Sequence, residues 1–200
     1  MEAPAVIVIF LFYISASTIT APFTAFILMW QIHYLYRTFI YPMLMRGGKK
    51  EFPAVLILMA MVFNSANGFV NGYFLFHAAE SYTSSWLLDP RFLTGTVIFF
   101  WGMYVHIRCD HLLRNLRKPG ETEYKIPRGS MYRFVSAPNY FGETIQWFGW
   151  ALATWSLAGL SFAAFTAANL IPRALSHHRW YGETFPDYPQ KRKAVIPFIL

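Results

Sequence analysis

Three groups of side chains in this sequence could do chemistry. The first lies in Ser136 to Trp150, which reads SAPNYFGETIQWFGW. Asn139 and Glu143 are four apart, so a helix places them on one face, with Gln146 and Trp147 a turn further along. A carboxylate and an amide at the start of an apolar run are costly without partners, so they face a cavity, a partner or water. The stretch is then one wall of a binding site or a helix start with a polar first turn. The second group is His106, Asp110, Arg114 and Arg117, on one helix face at i, i+4, i+8 and i+11. One carboxylate among guanidiniums suits an anionic ligand that also presents hydroxyls: arginine grips phosphate at two points, and a carboxylate accepts from ribose. The same face also reads as a solvated basic flank drawn to anionic lipid. The third group is Tyr34, Arg37 and Tyr41, spaced i, i+3, i+7. Such residues are also common interface anchors.

Metal chemistry finds little support. His106 and Asp110 make a pair without further ligands, and no Cys/His cluster has zinc spacing. The single cysteine, Cys109, excludes an intrachain disulfide. No glycine-rich Rossmann or phosphate-loop signature occurs. A dinucleotide, if bound, must be held by helices and loops.

The elements that position these groups are apolar. Hydrophobic residues make up 56% of the chain, aromatics 20% and charged residues 14%, against about 25% charged in a soluble domain. This composition predicts an all-α, polytopic membrane helix bundle. Six apolar stretches can be drawn: Ala3–Ser15, Phe23–Leu44, Pro53–Phe76, Phe92–Ile107, Tyr140–Ser156 and Leu160–Leu175. Several are shorter than the roughly 20 residues of a free span and fit only inside a bundle. Connections Ser15–Pro22, His77–Arg91 and Leu157–Gly159 carry one basic residue, Arg91. The other Lys and Arg residues cluster in Met45–Glu51, Arg108–Pro138, the tail from Ser176, and the helix turns leading there. The positive-inside rule places those segments in the cytosol. It also accounts for the +7 net charge without nucleic acid. Within the third stretch, Asn64, Asn67 and Asn71 share a face, and Gly68 and Gly72 favour close helix packing. Pro119-Gly120 reads as a helix stop. The aromatic, proline-punctuated tail suits a docked segment.

Several longer motifs point the same way. SAPNYFGE is followed by GWALATWSLAG and by HHRWY and DYPQKRKAVIPFIL. Upstream, HYLYRTFIYP, MRGG and LLRNLRKPGETEYKIPRG appear in order. Together these resemble the steroid 5α-reductase family over nearly the whole chain. The resemblance implies a single membrane-embedded domain over residues 1–200, with cytosolic cofactor loops around 108–138 and 176–200. It also implies reduction of the Δ4 double bond of a 3-oxo-Δ4 steroid by NADPH, with hydride to carbon 5 and a proton to carbon 4. MEAPA resembles the family's Gln-Glu-Leu-Pro-type start of its second of seven spans. The chain is therefore expected to lack the family's first helix.

The resemblance also implies roles. Tyr34 and Glu2 polarise the 3-oxo group, Glu2 as the protonated acid. His106, Asp110, Arg117, Lys125, Asn139, Glu143, His177, Tyr181 and Arg192 contact NADPH, and Arg114 joins them from its place on the His106–Asp110 helix face. Lys125 stands where the family often has Arg, and His106 where the animal enzymes have Asn. Trp147 matches an aromatic beside the steroid, whereas Gln146 replaces a family Glu and receives no role. Expected partners are a steroid and membrane lipid, with no metal or nucleic acid, for a monomer. The expected location is the endoplasmic reticulum membrane in a eukaryote or the inner membrane in a bacterium. A reductase of a polyprenol or enoyl thioester is the near alternative. A related membrane methyltransferase would show an Arg-His-Pro-x-Tyr-type motif where this chain has Ser136-Ala137-Pro138-Asn139-Tyr140. A non-catalytic sterol binder would need neither Tyr34 with Glu2 nor the basic face.

Overall fold

The computed structural model describes residues 1–45, 53–79, 82–117, 121 and 123–200. Among these the chain is all-helical. Its helices are α1 (Ala3–Ile14), α2 (Ala21–Leu35), α3 (Tyr41–Leu44), α4 (Ala54–Tyr73), α5 (Pro90–Arg114), α6 (Pro138–Thr154) and α7 (Leu157–Thr184). Proline stands at the start of six of them, with Pro42 in the first turn of α3. Pro4 and Pro22 sit in the first turns of α1 and α2, Pro53 caps α4, and Pro90 and Pro138 begin α5 and α6. The first turn has no intrahelical acceptor for its N–H groups, so a residue lacking one costs nothing there. Among the described residues two helical runs are long and apolar enough to cross a membrane: Ala54–Ala78, which is α4 with the π-helical turn Phe74–Ala78 that follows it, and Pro90–Arg114.

The polar ends of two helices run past the apolar stretches. α5 continues to Arg114 and α7 to Thr184. Hydropathy changes where a membrane boundary would fall, whereas the backbone hydrogen-bond ladder does not. The hairpin expected at Leu157–Gly159 lies instead at Trp155–Ser156. Trp155 adopts φ 45°, and the Thr154 and Ser156 hydroxyls pair at 2.9 Å. Arg117 is a second correction. α5 closes with Leu116 N donating to Leu113 O at 3.2 Å, so Arg117 lies past the helix and off the His106–Asp110–Arg114 face. The Pro119-Gly120 stop and most of the Met45–Glu51 loop fall outside the described residues.

The chain forms two compact units. The first is Met1–Leu93 with Thr154–Ala158, and the second is Thr94–Ala153 with Gly159–Leu200.

In the first unit, α1 packs against α2 and α4. A Cβ on Gly72 would meet the Phe12 ring at 2.8 Å, so the small residue admits the neighbouring helix, as expected. Trp30 Nε1 donates to Ala5 O at 2.9 Å, tying α2 to α1. α2 does not stop at Leu35. It widens into a π-helical segment, Tyr36–Ile40, where Tyr41 N reaches back to Tyr36 O, and then resumes as α3. Pro42 supplies the reason, because it has no N–H to continue the α ladder and its ring crowds the carbonyl before it. At the other end Arg91 pairs with Asp89 at 2.8 Å and stacks on Trp86 and Trp155. The hydrogen bonds from Arg91 hold the Asp89 carboxyl down at about 2.

In the second unit, α5 and α6 touch backbone to backbone. A Cβ on Gly102 would lie 2.5 Å from Gln146 N, and one on Gly142 would lie 2.5 Å from His106 N. No side chain fits either gap. This contact sets His106 of α5 against the first turns of α6. The tail docks through an isolated parallel bridge between Val135 and Lys193. Ser136 N donates to Lys193 O, Ala137 N to Ala194 O, and Lys193 N to Phe134 O, at 2.9–3.0 Å.

Candidate functional site

The first unit gathers its polar side chains around Tyr34. The phenol is buried and its oxygen accepts from Asn67 Nδ2 at 3.4 Å. Asn71 Nδ2 donates to Asn67 Oδ1 at 2.9 Å, which fixes which way the Asn67 amide points. Trp30 covers the Tyr34 ring at 4.9 Å. An amide donating to a phenol oxygen polarises its O–H as a donor. The π-helical segment keeps Arg37 beside Glu2, with Nη2 to Oε1 at 3.0 Å and Nε to Oε2 at 3.4 Å. Both side chains stay partly exposed, at 22% and 27%. Arg37 also lies over the Tyr41 ring at 5.0 Å. In this geometry Glu2 is an acceptor; a donor role toward a ketone requires its protonated acid. The sequence groups Arg37 with Tyr34 and Tyr41 but gives it no role, and it shows Asn67 only as part of a packing face. The signal was present, since Asn67 shares a face with Asn64 and Asn71, and Arg37 shares one with Tyr34. Spacing alone did not say that the two faces meet.

The second unit brings four expected residues together. His106 is 1% exposed and Asp110 4%. Asn139 Nδ2 donates to Asp110 Oδ1 at 3.0 Å. His106 Nδ1 lies 3.3 Å from Asn139 O and 3.6 Å from Glu143 Oε2, and its Nε2 lies 3.5 Å from Asp110 Oδ2. That second Asp110 oxygen is buried and makes no hydrogen bond. Among the described residues no group of three or more His, Cys, Asp or Glu side chains is placed to hold a metal ion.

An aromatic chain carries the remaining expected residues. Arg117 lies over Tyr124 at 5.1 Å, Tyr124 meets Trp180 edge-on, and Trp180 meets Tyr181. Tyr181 stacks on Tyr188 at 5.4 Å and 7°. Arg192 lies against Tyr188 at 5.3 Å. Burial raises the Tyr181 phenol, with the neighbouring Tyr188 adding to it, so it stays neutral and able to donate. Arg192 is 5% exposed. Its Nη2 donates to Pro127 O at 2.9 Å, while Nε and Nη1 are buried without a hydrogen-bond partner. His177 sits 3.5 Å from Tyr140 OH. Lys125 pairs with Glu121. Arg114 ends α5, half-buried. Trp147 is buried in an aromatic cluster with Phe99, Trp150 and Phe162.

Among the buried atoms left to be satisfied in the second unit are one carboxylate oxygen of Asp110 and two guanidinium nitrogens of Arg192, beside the Thr144 hydroxyl. A ligand with hydroxyls and phosphates supplies the complementary groups, and a phosphorylated dinucleotide has both. The residues present fit such a group.

Fold and clusters thus define an all-helical protein with membrane-suited helices and a buried site of mixed charge. Comparison with known proteins gives the family. Residues 50–200 match the family described as 3-oxo-5-alpha-steroid 4-dehydrogenase, and the chain belongs to it. It is 49% identical over 172 residues to 3-oxo-5-alpha-steroid 4-dehydrogenase 1 of Bos taurus, covering 86% of this chain and 66% of that protein. It is 51% identical over 174 residues to the Rattus norvegicus protein of the same name, with the same coverage. Against 3-oxo-5-alpha-steroid 4-dehydrogenase 2 of Homo sapiens it is 47% identical over 178 residues, covering 89% and 69%. The chain spans about two thirds of the length of these curated relatives.

Proposed function

We propose that this chain is a membrane-embedded NADPH-dependent reductase of the Δ4 double bond of 3-oxo-Δ4 steroids. The observation that carries the reading is the buried Tyr34 phenol, whose oxygen accepts from an Asn67 amide that Asn71 holds in place. Hydride addition at carbon 5 of an enone drives negative charge onto the 3-oxo oxygen. A donor fixed in a low-dielectric site stabilises that charge more in the transition state than in the ground state. Tyr34 donates directly. Glu2 acts beside it as the protonated acid, once its contact with Arg37 is released. A proton completes the reaction at carbon 4.

NADPH, when bound, supplies the hydride. Asp110 takes a ribose hydroxyl through its open oxygen, and Asn139 and His106 fix the carboxylate. Arg192 presents Nε and Nη1 to phosphate, with Arg117, Arg114 and Lys125 adding positive charge. Tyr181 and His177 contribute polar edges, and Glu143 stands beside His106. Trp147 belongs to the apolar wall for the steroid.

The reading places the whole chain in one membrane domain with six spans. Its basic segments face the cytosol, in the endoplasmic reticulum of a eukaryote or the inner membrane of a bacterium. It works as a monomer. The test is progesterone with 4-deuterated NADPH and the detergent-purified chain, with products read by mass spectrometry. A product heavier by one hydrogen and one deuterium, the deuterium at carbon 5, is expected. Turnover of a polyprenol or enoyl thioester in place of the steroid would overturn the substrate assignment.

A further inference from the structure

The second unit ends in a closed loop that buries its base and exposes its tip. Ile199 N and Leu200 N donate to Ile196 O, and Val195 N and Ile196 N donate to Leu200 O, at 2.7–3.2 Å. Val195 and Ile196 pack with Ala137, Tyr140 and Phe141 against Ile171 and Ala174 of α7. The tip does the opposite. Phe198 is 79% exposed and Ile199 75%. Phe198 also holds φ 67°, a left-handed conformation disfavoured for a residue with a Cβ. Backbone strain that presents an aromatic ring to water gains nothing from the fold itself. It makes sense where something covers the tip.

Charge identifies the cover. The loop base is built from Ala137, Tyr140 and Phe141, from Ile171 and Ala174, and from Val195 and Ile196, and the sequence around them, residues 124–142, 157–182 and 188–200, contains no Asp or Glu. Arg133, Arg173 and Lys193 are exposed on them. Phe134 meets the Phe198 ring at 5.5 Å, and the Arg133 guanidinium lies over Phe134 at 5.7 Å. Position agrees with charge. Ile171 and Ala174 lie where the apolar part of α7 gives way to Arg173, His177, His178 and Arg179. An apolar tip on a base that carries exposed cations, at the height where an apolar helix turns polar, has the chemistry of an interfacial anchor.

We propose that Ile196–Leu200 inserts Phe198 and Ile199 into the headgroup–acyl boundary of an anionic bilayer leaflet, with Arg133, Arg173 and Lys193 holding the headgroups. This rests on the membrane reading above and adds a lipid-binding surface to it.

The test uses the full chain with Cys109→Ala and Phe198→Cys, labelled at position 198 with an environment-sensitive fluorophore. It is reconstituted in phosphatidylcholine vesicles with and without phosphatidylserine. Lipids carrying a nitroxide near the headgroup should quench the label more than lipids carrying it deep in the chain. Phosphatidylserine should strengthen that quenching at least about twofold, and Arg133→Gln with Lys193→Gln should abolish the increase. A label quenched by aqueous iodide and by neither nitroxide, in both compositions, overturns the anchor. Quenching that follows protein density instead of lipid composition also overturns it, in favour of a second copy. A parallel label at Leu58→Cys, on the exposed side of α4, separates the two readings. Loss of deep quenching there overturns the membrane reading and the anchor together. Loss at position 198 alone overturns only the anchor.

Discussion

The polar clusters of the two units differ in which groups they leave open. Around Tyr34 the chain uses neutral amides that satisfy one another, and it compensates its carboxylate with Arg37. The buried atoms of that unit without hydrogen bonds, Gln31 Oε1 and Thr38 Oγ1, are neutral. In the second unit the open atoms include those of charged groups, Asp110 and Arg192, besides the neutral Thr144 Oγ1. A buried charge with unmade hydrogen bonds is expensive, far more so than a buried amide or hydroxyl. The first arrangement is finished without a ligand, as a preorganised electrophilic site needs to be. The second is completed only by a polar, charged ligand. The comparison predicts a division of labour: changes in the first unit alter turnover, and changes in the second alter cofactor affinity.

The largest effect should come from the phenol. Tyr34→Phe keeps the ring packed on Trp30 and removes the donor. Turnover should fall about 100-fold, the range seen when an oxyanion donor is lost. NADPH affinity, read by isothermal titration, should hold. An equal loss of both would break the division.

Arg192→Ala tests the other half. It removes the donors on two open nitrogens, and charged hydrogen bonds of this kind correspond to about 10- to 100-fold in NADPH dissociation constant. Arg192→Lys should recover part of this, since one ammonium cannot replace a planar fork. Arg117→Ala should shift NADPH affinity the same way with steroid affinity little changed. A change confined to steroid binding would put the cofactor elsewhere.

What the sequence disclosed follows from range. His106 with Asp110, and Asn139 with Glu143, are i, i+4 pairs, so helical period alone put each pair on one face. That the pairs meet depends on Gly102 and Gly142, whose packing role no spacing rule picked out. Arg37 with Glu2, Arg192 with Pro127, and Lys193 with Val135 join residues far apart in the chain. Nothing local encodes such contacts. The π-helical turn at Tyr36–Ile40 did have a local cause in Pro42, but hydropathy runs through it unchanged. Arg117 was misplaced because a helical face was extended past the last turn that forms.

The α5–α6 contact sharpens the comparison from the fold side. Gly102→Ala forces a methyl to within 2.5 Å of Gln146 N. Overpacking of this kind costs about 1–3 kcal/mol. The melting temperature should drop, and His106 and Asn139 should separate, so NADPH affinity should weaken as well. Unchanged cofactor binding in a folded variant would mean that the His106–Asp110 cluster is not part of that site.

The smallest effect should be on pH. Ser136 Oγ lies 2.6 Å from His178 Nδ1 and 2.6 Å from Tyr188 OH, and it donates to Lys193 O at 3.1 Å. A hydroxyl has one proton, so with that proton on Lys193 O the neutral His178 ring donates through Nδ1–H. Burial lowers the His178 pKa, and the positive charge of Lys193 lowers it further. A histidine whose folded value lies below its ordinary 6.5 stabilises the fold above that pH and loses the contribution as pH falls through the folded value. Acid should therefore loosen the tail, although much of the ring's charge is screened by water. Protection of the Ser136, Ala137 and Lys193 amides against hydrogen exchange, with the intrinsic pH dependence of exchange divided out, should fall as pH drops below 6.5. His178→Gln keeps a donor for Ser136 and cannot titrate, so it should flatten that dependence. Because Arg192 sits beside the bridge residue Lys193, NADPH affinity should weaken over the same window. Tyr34-dependent turnover at saturating cofactor should not, and a parallel acid loss of both would show that the two clusters do not work as separate parts.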